Sequence, residues 1–182
     1  KTTIAAALQQ YFLNDNTACY VLTGDNYPHR IPMRNDEERL NVYNESGEDG
    51  LRGYLGTPEE IDFDRINKEL SEFKEGKDII EIKHMGREDG DISYDETDFT
   101  GIKVLILEWT NGGSEYLKGV DIPVFLESSP EETKARRIKR GRDENAASPF
   151  ICRVVELEQE KLDLQSKNAR IVVGKDGKVY EQ

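Results

Sequence analysis

Residues 102–109 read IKVLILEW, an almost unbroken run of apolar side chains that ends in an acid and a tryptophan. Runs of this kind are typical of strands that are buried on both faces, as in a parallel sheet covered by helices. A second run, IPVFLE at residues 122–127, has the same character. Segments with helical spacing of apolar residues lie between and around these strands. Strands that alternate with helices predict an α/β fold.

The same criteria divide the rest of the chain into elements. Residues 1–13 have apolar residues at helical spacing, and residues 18–23 (ACYVLT) form a short β-rich run. Residues 24–60 are polar and predicted to be irregular, and the acid-rich residues 88–98 are predicted to be a solvated loop. The other expected elements are a helix at 57–76 with Thr57 as N-cap, a strand at 77–84, helices at 129–143 and 149–168, and a last strand with an Asp-Gly turn at 169–182.

Length and charge limit the classes of function. The 182 residues point to a single domain, 1–182. The net charge of -12 argues against a nucleic-acid-binding surface, because contacts to phosphate backbones need clustered Lys and Arg. No apolar run approaches the ~18 residues that a membrane span needs, and no signal peptide is visible. The two cysteines have no zinc-binding spacing and fit a reducing compartment, so we expect a cytoplasmic protein without nucleic-acid or membrane partners.

Lys1, Thr2 and Thr3 open the first helix and match the end of the phosphate-binding motif GxxxxGK[ST]. In that motif the Lys reaches the β- and γ-phosphates of a nucleotide, and the hydroxyl binds Mg²⁺. The helix N-terminus adds N–H groups and a partial positive charge. We therefore expect a strand and a glycine-rich loop before Lys1. The match is short, and the alternative interpretation is an arbitrary basic residue before a helix.

Two acids follow predicted strands. Asp25 lies just after the strand at 18–23, where open α/β sheets bind ligands, and could accept a proton from a substrate hydroxyl. Glu108 lies near the end of the run at 102–109, where a carboxylate can hold Mg²⁺ as in a Walker B element. The alternatives are a loop Asp favoured by turn chemistry and a strand-end acid that faces solvent. Donors and acceptors suited to a hydroxyl-rich ligand follow Asp25, namely Asn26, Tyr27, His29, Arg30 and Arg34.

Residues 134–142 concentrate basic side chains within an acidic chain. Helical spacing places Arg136 and Arg137 near Arg140. Guanidinium groups suit phosphate oxygens and the charge that is spread out during phosphoryl transfer. The alternative is a solvated helix that pairs with the many acids. The basic residues are Lys134, Arg136, Arg137, Lys139, Arg140 and Arg142.

Taken in order, these segments resemble the uridine kinase and phosphoribulokinase family of P-loop kinases. The resemblance runs over most of the chain and includes the KTT helix, the Asp–aromatic turn, VDIPVFLE at 120–127 and ARRIKRGRD at 135–143. It implies a P-loop NTPase three-layer fold, with a parallel sheet of about five strands in the order 2-3-1-4-5, flanked by helices and covered by an Arg-rich lid. It also implies that ATP and Mg²⁺ are used.

The resemblance and the residue types together suggest a role for each candidate. Lys1 matches the phosphate-binding Lys, Thr2 the Mg²⁺-binding hydroxyl, and Asp25 the catalytic Asp. The expected assignments are, for catalysis, Lys1, Asp25, Arg137 and Arg140; for the nucleotide, Lys1, Thr2, Thr3, Arg136, Arg140 and Arg142; for the substrate, Asp25, Tyr27, His29, Arg30, Arg34, His84 and Arg87; and for the metal, Thr2 and Glu108.

Two departures separate this chain from the family. The family's Glu-Gly pair is Glu108-Trp109 here. The family's uridine-contacting stretch is replaced by IKHMGREDGDISYD at 82–95, which keeps only loose echoes of it. We therefore expect an ATP-dependent kinase that acts on a hydroxyl of a nucleoside, sugar or polyol-type metabolite, with the acceptor unassigned and a homo-oligomer left open. The alternatives are a P-loop switch protein without an acceptor substrate and an acidic interaction module.

Overall fold

A computed structural model describes residues 1–128 and 148–182. A 3₁₀ turn, Gly24–Asn26, follows the first strand, and another lies at Ser166–Asn168. The helices are α1 (Thr2–Asn14), α2 (Pro32–Tyr54), α3 (Phe63–Lys74) and α4 (Pro149–Gln165). The strands are β1 (Cys19–Thr23), β2 (Ile79–Met85), β3 (Ile92–Asp98), β4 (Val104–Glu108), β5 (Val124–Leu126), β6 (Ile171–Val173) and β7 (Val179–Glu181).

Two of the strand pairs are parallel. β1 pairs with β4 in a register that sets Thr23 opposite Glu108, and β5 pairs with β6. β7 runs antiparallel to β6, and β2 and β3 form an antiparallel hairpin. Within the described ranges these pairs make three sheets, of two, two and three strands. The two apolar runs do contain strands, β4 and β5, and the α/β class is confirmed.

In the part of the chain that the structure describes, the larger of two clusters of buried side chains lies where β1, β2 and α3 meet. The smaller cluster lies between α2 and α4. Cys19 is buried in β1, and both cysteines are unpaired. The larger cluster consists of Leu22, Tyr27, Ile61, Phe63, Ile66, Leu70, Ile80, Ile82, Phe99 and Trp109.

Residues 24–60 were predicted to be irregular, and this prediction is wrong because most of them form α2. Pro32 takes the first helical position, where the missing N–H needs no partner. Apolar residues are sparse along α2, but Leu51 and Tyr54 are buried, and ion pairs three or four residues apart support the helix. Gly47 interrupts the helical backbone with φ +66°, a conformation that glycine adopts without steric cost.

The helix predicted at 57–76 begins later than expected. Asp62 rather than Thr57 is the N-cap, since its carboxylate accepts a hydrogen bond from the backbone N–H of Arg65 at 3.1 Å. Glu60, within the predicted helix, is buried. Its carboxylate accepts hydrogen bonds from the side chains of Asn35 and Arg39 and from the backbone of Gly56, so it joins α2 to the turn before α3.

The solvated loop predicted at 88–98 is also wrong, because residues 92–98 form β3. Most of its side chains are exposed, as antiparallel strands allow when one face of the sheet meets water. The segment at 169–182 holds two strands, β6 and β7, on either side of the expected Asp-Gly turn. The strand at 77–84 and the helix at 149–168 are confirmed as β2 and α4. The helix predicted at 129–143 lies outside the described residues.

Charged side chains join α2 to α4. The ion pairs between these two helices join Arg39 to Glu158, Arg52 to Glu160 and Arg153 to Glu48.

No helix in the described part of the chain is long and apolar enough to cross a lipid bilayer.

Candidate active site

Side chains from the start of α1 and the end of β4 meet at one point of the structure. Lys1 donates a hydrogen bond to the hydroxyl of Thr110, and its ammonium lies 3.9 Å from the carboxylate of Glu108. The hydroxyl of Thr2 donates to the same carboxylate at 3.2 Å, across 106 positions of sequence. The fold therefore brings together Lys1, Thr2 and Glu108, the residues expected to bind phosphate and Mg²⁺, while Thr3 lies exposed beside them in the first turn of α1.

The second predicted acid, Asp25, lies at the same edge of the sheet. Thr23, the last residue of β1, is opposite Glu108, the last residue of β4. The 3₁₀ turn Gly24–Asn26 follows directly, with Gly24 buried and Asp25 exposed. Asp25 thus follows the carboxyl end of a parallel strand, where open α/β sheets bind ligands.

Tyr27 supports this turn from inside the protein. Its side chain is fully buried, and its hydroxyl donates a hydrogen bond to the carboxylate of Glu69 in α3. Burial and the neighbouring Glu69 raise the pKa of the Tyr27 hydroxyl, so it stays protonated and remains a donor. A side chain with no exposed surface does not fit the substrate contact expected from the sequence. In this structure Tyr27 holds the turn in place.

Glu69 and Lys83 are the buried polar residues behind the turn, and each is at most 2% exposed. Burial raises the pKa of Glu69, while hydrogen bonds from Tyr27 and Arg65 oppose this shift. The ammonium of Lys83 donates to the carbonyl of Pro28 at 3.0 Å and lies 3.4 Å from the carboxylate of Asp62. The segment after Asp25 is therefore fixed to both α3 and β2.

His29 and Arg30 continue this segment. A ring nitrogen of His29 lies 2.9 Å from the carbonyl of Pro58, and its backbone N–H donates to the carbonyl of Glu60. The guanidinium of Arg30 is half-buried and lies 3.4 Å from the carboxylate of Glu38. The structure thus keeps both residues on the stretch that follows Asp25, with their polar groups already engaged by the protein.

Arg34, His84 and Arg87 are the other residues expected to contact the substrate. Arg34, in the first turn of α2, forms a two-point contact with Asp89, a residue of the turn between β2 and β3. His84 is in β2, 3.8 Å from Asp95, and Arg87 is exposed in the β2–β3 turn. Arg34 therefore ties α2 to the hairpin that carries His84 and Arg87.

A pocket of about 210 Å³ adjoins Lys1. It is lined by Lys1 and Ile4 of α1 and by residues that follow the carboxyl ends of β5 and β6. Lys1 therefore stands between the end of β4 and the ends of β5 and β6. The lining residues beyond α1 are Leu126, Glu127, Ser128, Val173, Gly174 and Lys175.

The oxygen donors of Thr2 and Glu108 suit Mg²⁺, which binds one or two carboxylates and completes its shell with water and substrate phosphates. No group of three or more His, Cys, Asp or Glu side chains that could hold a metal occurs among residues 1–128 and 148–182. The predicted lid residues Arg136, Arg137, Arg140 and Arg142 lie outside the described part of the chain.

Sequence reasoning missed Glu69, Lys83 and the role of Trp109. Glu69 and Lys83 look like ordinary charged positions of a helix and a strand, and a single sequence does not show which partners bury them. Trp109 did carry a signal, because it replaces the glycine of the family's Glu-Gly pair. Its ring packs against Phe63, with centroids 5.5 Å apart, and against Tyr27, at 6.3 Å.

No protein-family model matches the chain. Over all 182 residues it is 75% identical to part of a bifunctional alpha-galactosidase/sucrose kinase from Mediterraneibacter gnavus, and it spans 20% of the length of that relative. A solved structure of phosphoribulokinase from Rhodobacter spheroides superposes with a TM-score of 0.70. The match covers 92% of this chain and 63% of that chain at 12% identity, so it shows the fold. The chain thus has an α/β fold similar to that of phosphoribulokinase, and its resemblance to the uridine kinase and phosphoribulokinase-like P-loop kinases is confirmed.

Proposed function

We propose that the chain carries the site of an ATP-dependent kinase that transfers the γ-phosphate to a hydroxyl of a small carbohydrate. The observation that carries this proposal is the meeting of Lys1 and Thr2 with Glu108, at the sheet edge where Asp25 follows β1. The relative from Mediterraneibacter gnavus includes sucrose kinase in its name, which supports a carbohydrate as the acceptor.

The start of α1 would hold the nucleotide. The ammonium of Lys1 and the N–H groups of the first helical turn suit the β- and γ-phosphates. Mg²⁺, held by Thr2 and Glu108, would neutralise charge on the phosphates. The pocket beside Lys1 would take the rest of the nucleotide. The proposal also includes two features that the family resemblance implies. These are a parallel sheet of about five strands and a lid that supplies Arg136, Arg137, Arg140 and Arg142.

Asp25 would act on the acceptor. The acceptor oxygen attacks the γ-phosphorus, the bond from that phosphorus to the bridging oxygen of ADP breaks, and the hydroxyl proton passes to the carboxylate of Asp25. The products are a phosphate monoester and ADP. Asp25 is exposed, and the residues behind it are buried, so its carboxylate is accessible on a fixed backbone.

Two of the arginines expected to contact the substrate are already paired with carboxylates, which favours an uncharged acceptor. Arg30 faces Glu38, and Arg34 donates hydrogen bonds to both Glu37 and Asp89. A phosphorylated sugar is best bound by guanidinium groups that are not already paired with carboxylates. Hydroxyl groups can instead share these paired side chains as donors and acceptors. A neutral sugar such as sucrose is therefore the first acceptor to test.

An ADP-release assay on the full natural protein tests the proposal. The panel contains sucrose, monosaccharides, polyols, nucleosides and a sugar phosphate, each with ATP and Mg²⁺. We expect a neutral carbohydrate to raise ADP release well above the rate with water. Asp25→Asn should lower this acceptor-dependent rate by about 10²-fold, the scale for losing a positioned base, and leave ATP binding unchanged.

Asp49→Asn is the matched control, because Asp49 lies in α2 with its side chain 98% exposed. It should keep the wild-type rate. If no alcohol raises ADP release above the water background, the kinase proposal fails, and the alternative of a nucleotide switch gains support. If an acceptor works equally well with Asp25→Asn, the kinase stands and Asp25 does not have the proposed role.

A further inference from the structure

Trp109 is in direct contact with the turn that carries Asp25. A Cβ atom added to Gly24 would lie 1.9 Å from Cγ and 2.2 Å from Cδ1 of the Trp109 indole. No side chain fits between them unless the ring or the turn moves. Gly24 is not among the glycines with positive φ, so the position requires glycine for space and not for backbone conformation.

The indole is fixed from its other sides. Trp109 is 9% exposed and packs between Phe63 of α3 and Tyr27, whose hydroxyl is bound to Glu69. Packed aromatic rings of this kind have little freedom to move, because the interior of a protein is filled as densely as an organic crystal. The ring is therefore a rigid surface for the backbone of Gly24.

This contact links the carboxyl ends of the two parallel strands. Thr23 and Glu108 are opposite each other, and Gly24 and Trp109 are the residues that directly follow them. The direction in which β1 leaves the sheet, and hence the position of Asp25, is set by the ring that directly follows Glu108. The family's glycine at this position offers no such surface, and this chain has a tryptophan there.

We propose that Trp109 is a positioning residue, which through its contact with Gly24 sets the place of the Asp25 carboxylate relative to Glu108 and Lys1. This inference rests on the proposed kinase function. A misplacement of about 1 Å can cost 10²-fold in rate, so a contact that fixes a turn has a large effect without touching substrate. A merely structural Trp109 would instead change only the fraction of folded protein.

Gly24→Ala, made in the full natural protein, tests the contact. The added methyl group should push the turn off the ring and lower acceptor phosphorylation at least tenfold. ATP affinity and the slow hydrolysis of ATP by water should stay near wild type, because Lys1 and Thr2 are unaffected. Gly53→Ala is the matched control, since nothing lies within 4 Å of the added methyl there and the backbone φ is not positive. Gly53→Ala should phosphorylate the acceptor at the wild-type rate.

A second variant separates positioning from folding. Trp109→Ala removes the ring, and in the double variant with Gly24→Ala the methyl group meets open space. We expect the double variant to phosphorylate the acceptor better than the product of the two single effects predicts. Trp109→Phe, which keeps a smaller ring, should lower the ratio of acceptor phosphorylation to water hydrolysis less than Trp109→Ala does.

Several results would overturn the inference. In one, Gly24→Ala behaves like Gly53→Ala. In another, both single variants lower phosphorylation and hydrolysis in the same proportion, which is the signature of unfolded protein. In a third, the effects of Gly24→Ala and Trp109→Ala are simply multiplied in the double variant. If the wild-type protein phosphorylates no alcohol at all, the proposed function fails, and this inference fails with it. After any of the first three results, the proposed kinase function still stands and only the positioning role of Trp109 is rejected.

Discussion

Among the described residues, the two sides of the candidate site differ in how many buried side chains support them. The acceptor side, residues 24–30, rests on the larger buried cluster. Tyr27 within it is fully buried, and the buried side chains of Glu69 and Lys83 bond to it and to the residue that follows it. Hydrogen bonds inside a buried network have few alternatives, so the backbone that carries Asp25 has one preferred position.

The proposed nucleotide side, α1 with the ends of β5 and β6, has fewer buried side chains among the described residues. Along α1, the apolar side chains of Ile4, Leu8 and Tyr11 are 39%, 40% and 68% exposed, and only Ala5 is buried. Lys1 itself is bound to residues at the end of β4. In the proposed function the buried core behind Asp25 would align the acceptor, and the strongly charged phosphates would be held by local groups at a helix N-terminus.

The largest expected effect is the loss of stability when a buried side chain that supports the acceptor side is removed. Arg65 pairs with two carboxylates, the buried Glu69 at 2.6 Å and the half-exposed Glu81 at 2.9 Å. Glu69→Ala would leave the Tyr27 hydroxyl and the Arg65 charge without their buried partner and should destabilise this region by about 3–5 kcal/mol. Glu81→Ala, the matched control, should cost at most about 1 kcal/mol.

Hydrogen exchange over residues 63–85 measures the free energy of local opening in both variants. Equal effects of Glu69→Ala and Glu81→Ala would mean that the acceptor side is no more firmly supported than an exposed surface. The contrast between the two sides would then be lost.

The next effect concerns the nucleotide side. Lys1→Ala should lower kcat by about 10²–10³-fold, or about 2.7–4 kcal/mol, because the ammonium would stabilise charge that grows in the transition state. ATP binding should weaken as well, whereas hydrogen exchange over residues 63–85 should not change. The exposed Lys103 provides the control, and Lys103→Ala should retain the wild-type rate. A Lys1→Ala rate within about threefold of wild type, worth only ~0.7 kcal/mol, would exclude the proposed role.

The sequence identified β4 and the residues that meet at Glu108 better than the supports of the acceptor side. The run IKVLILEW identified β4, and the end of a phosphate-binding motif identified the residues that meet Glu108. The helix α2 was missed because its apolar residues are sparse and its charges pair along the helix. The strand β3 was missed because its charged residues face water.

The buried polar residues were missed for a different reason. Local sequence shows that Glu69 is charged, but not that Tyr27 lies next to it in the fold, 42 positions earlier. The contact between Gly24 and Trp109 depends in the same way on the register of β1 and β4. Long-range pairings of this kind arise only when the strands and helices are assembled.

The smallest effect is expected where α2, which follows the acceptor side, meets α4, which precedes β6. A hydrogen bond from Arg153 is the main cause that lowers the pKa of Glu48. A carboxylate with a lowered pKa in the folded state contributes stability above its unfolded value of about 4.3, and this contribution is lost as the pH falls through the folded pKa. Acid should therefore loosen this contact.

Hydrogen exchange of α4 at pH values on both sides of 4.3 measures the loss. Glu48→Gln should reduce the pH dependence of α4 relative to wild type, whereas Glu156→Gln, which removes an exposed partner of Arg153 within α4, should change it less. An unchanged pH dependence in Glu48→Gln would mean that this ion pair does not hold the two helices together.

Identification of the product by mass spectrometry shows whether a carbohydrate hydroxyl receives the γ-phosphate. The full natural protein is incubated with ATP, Mg²⁺ and sucrose or another neutral carbohydrate from the panel. We expect the carbohydrate to gain one phosphoryl group while an equal amount of ADP forms, and Asp25→Asn to form the product about 10²-fold more slowly. ADP that accumulates together with free phosphate and an unmodified carbohydrate, for every acceptor tried, would contradict it.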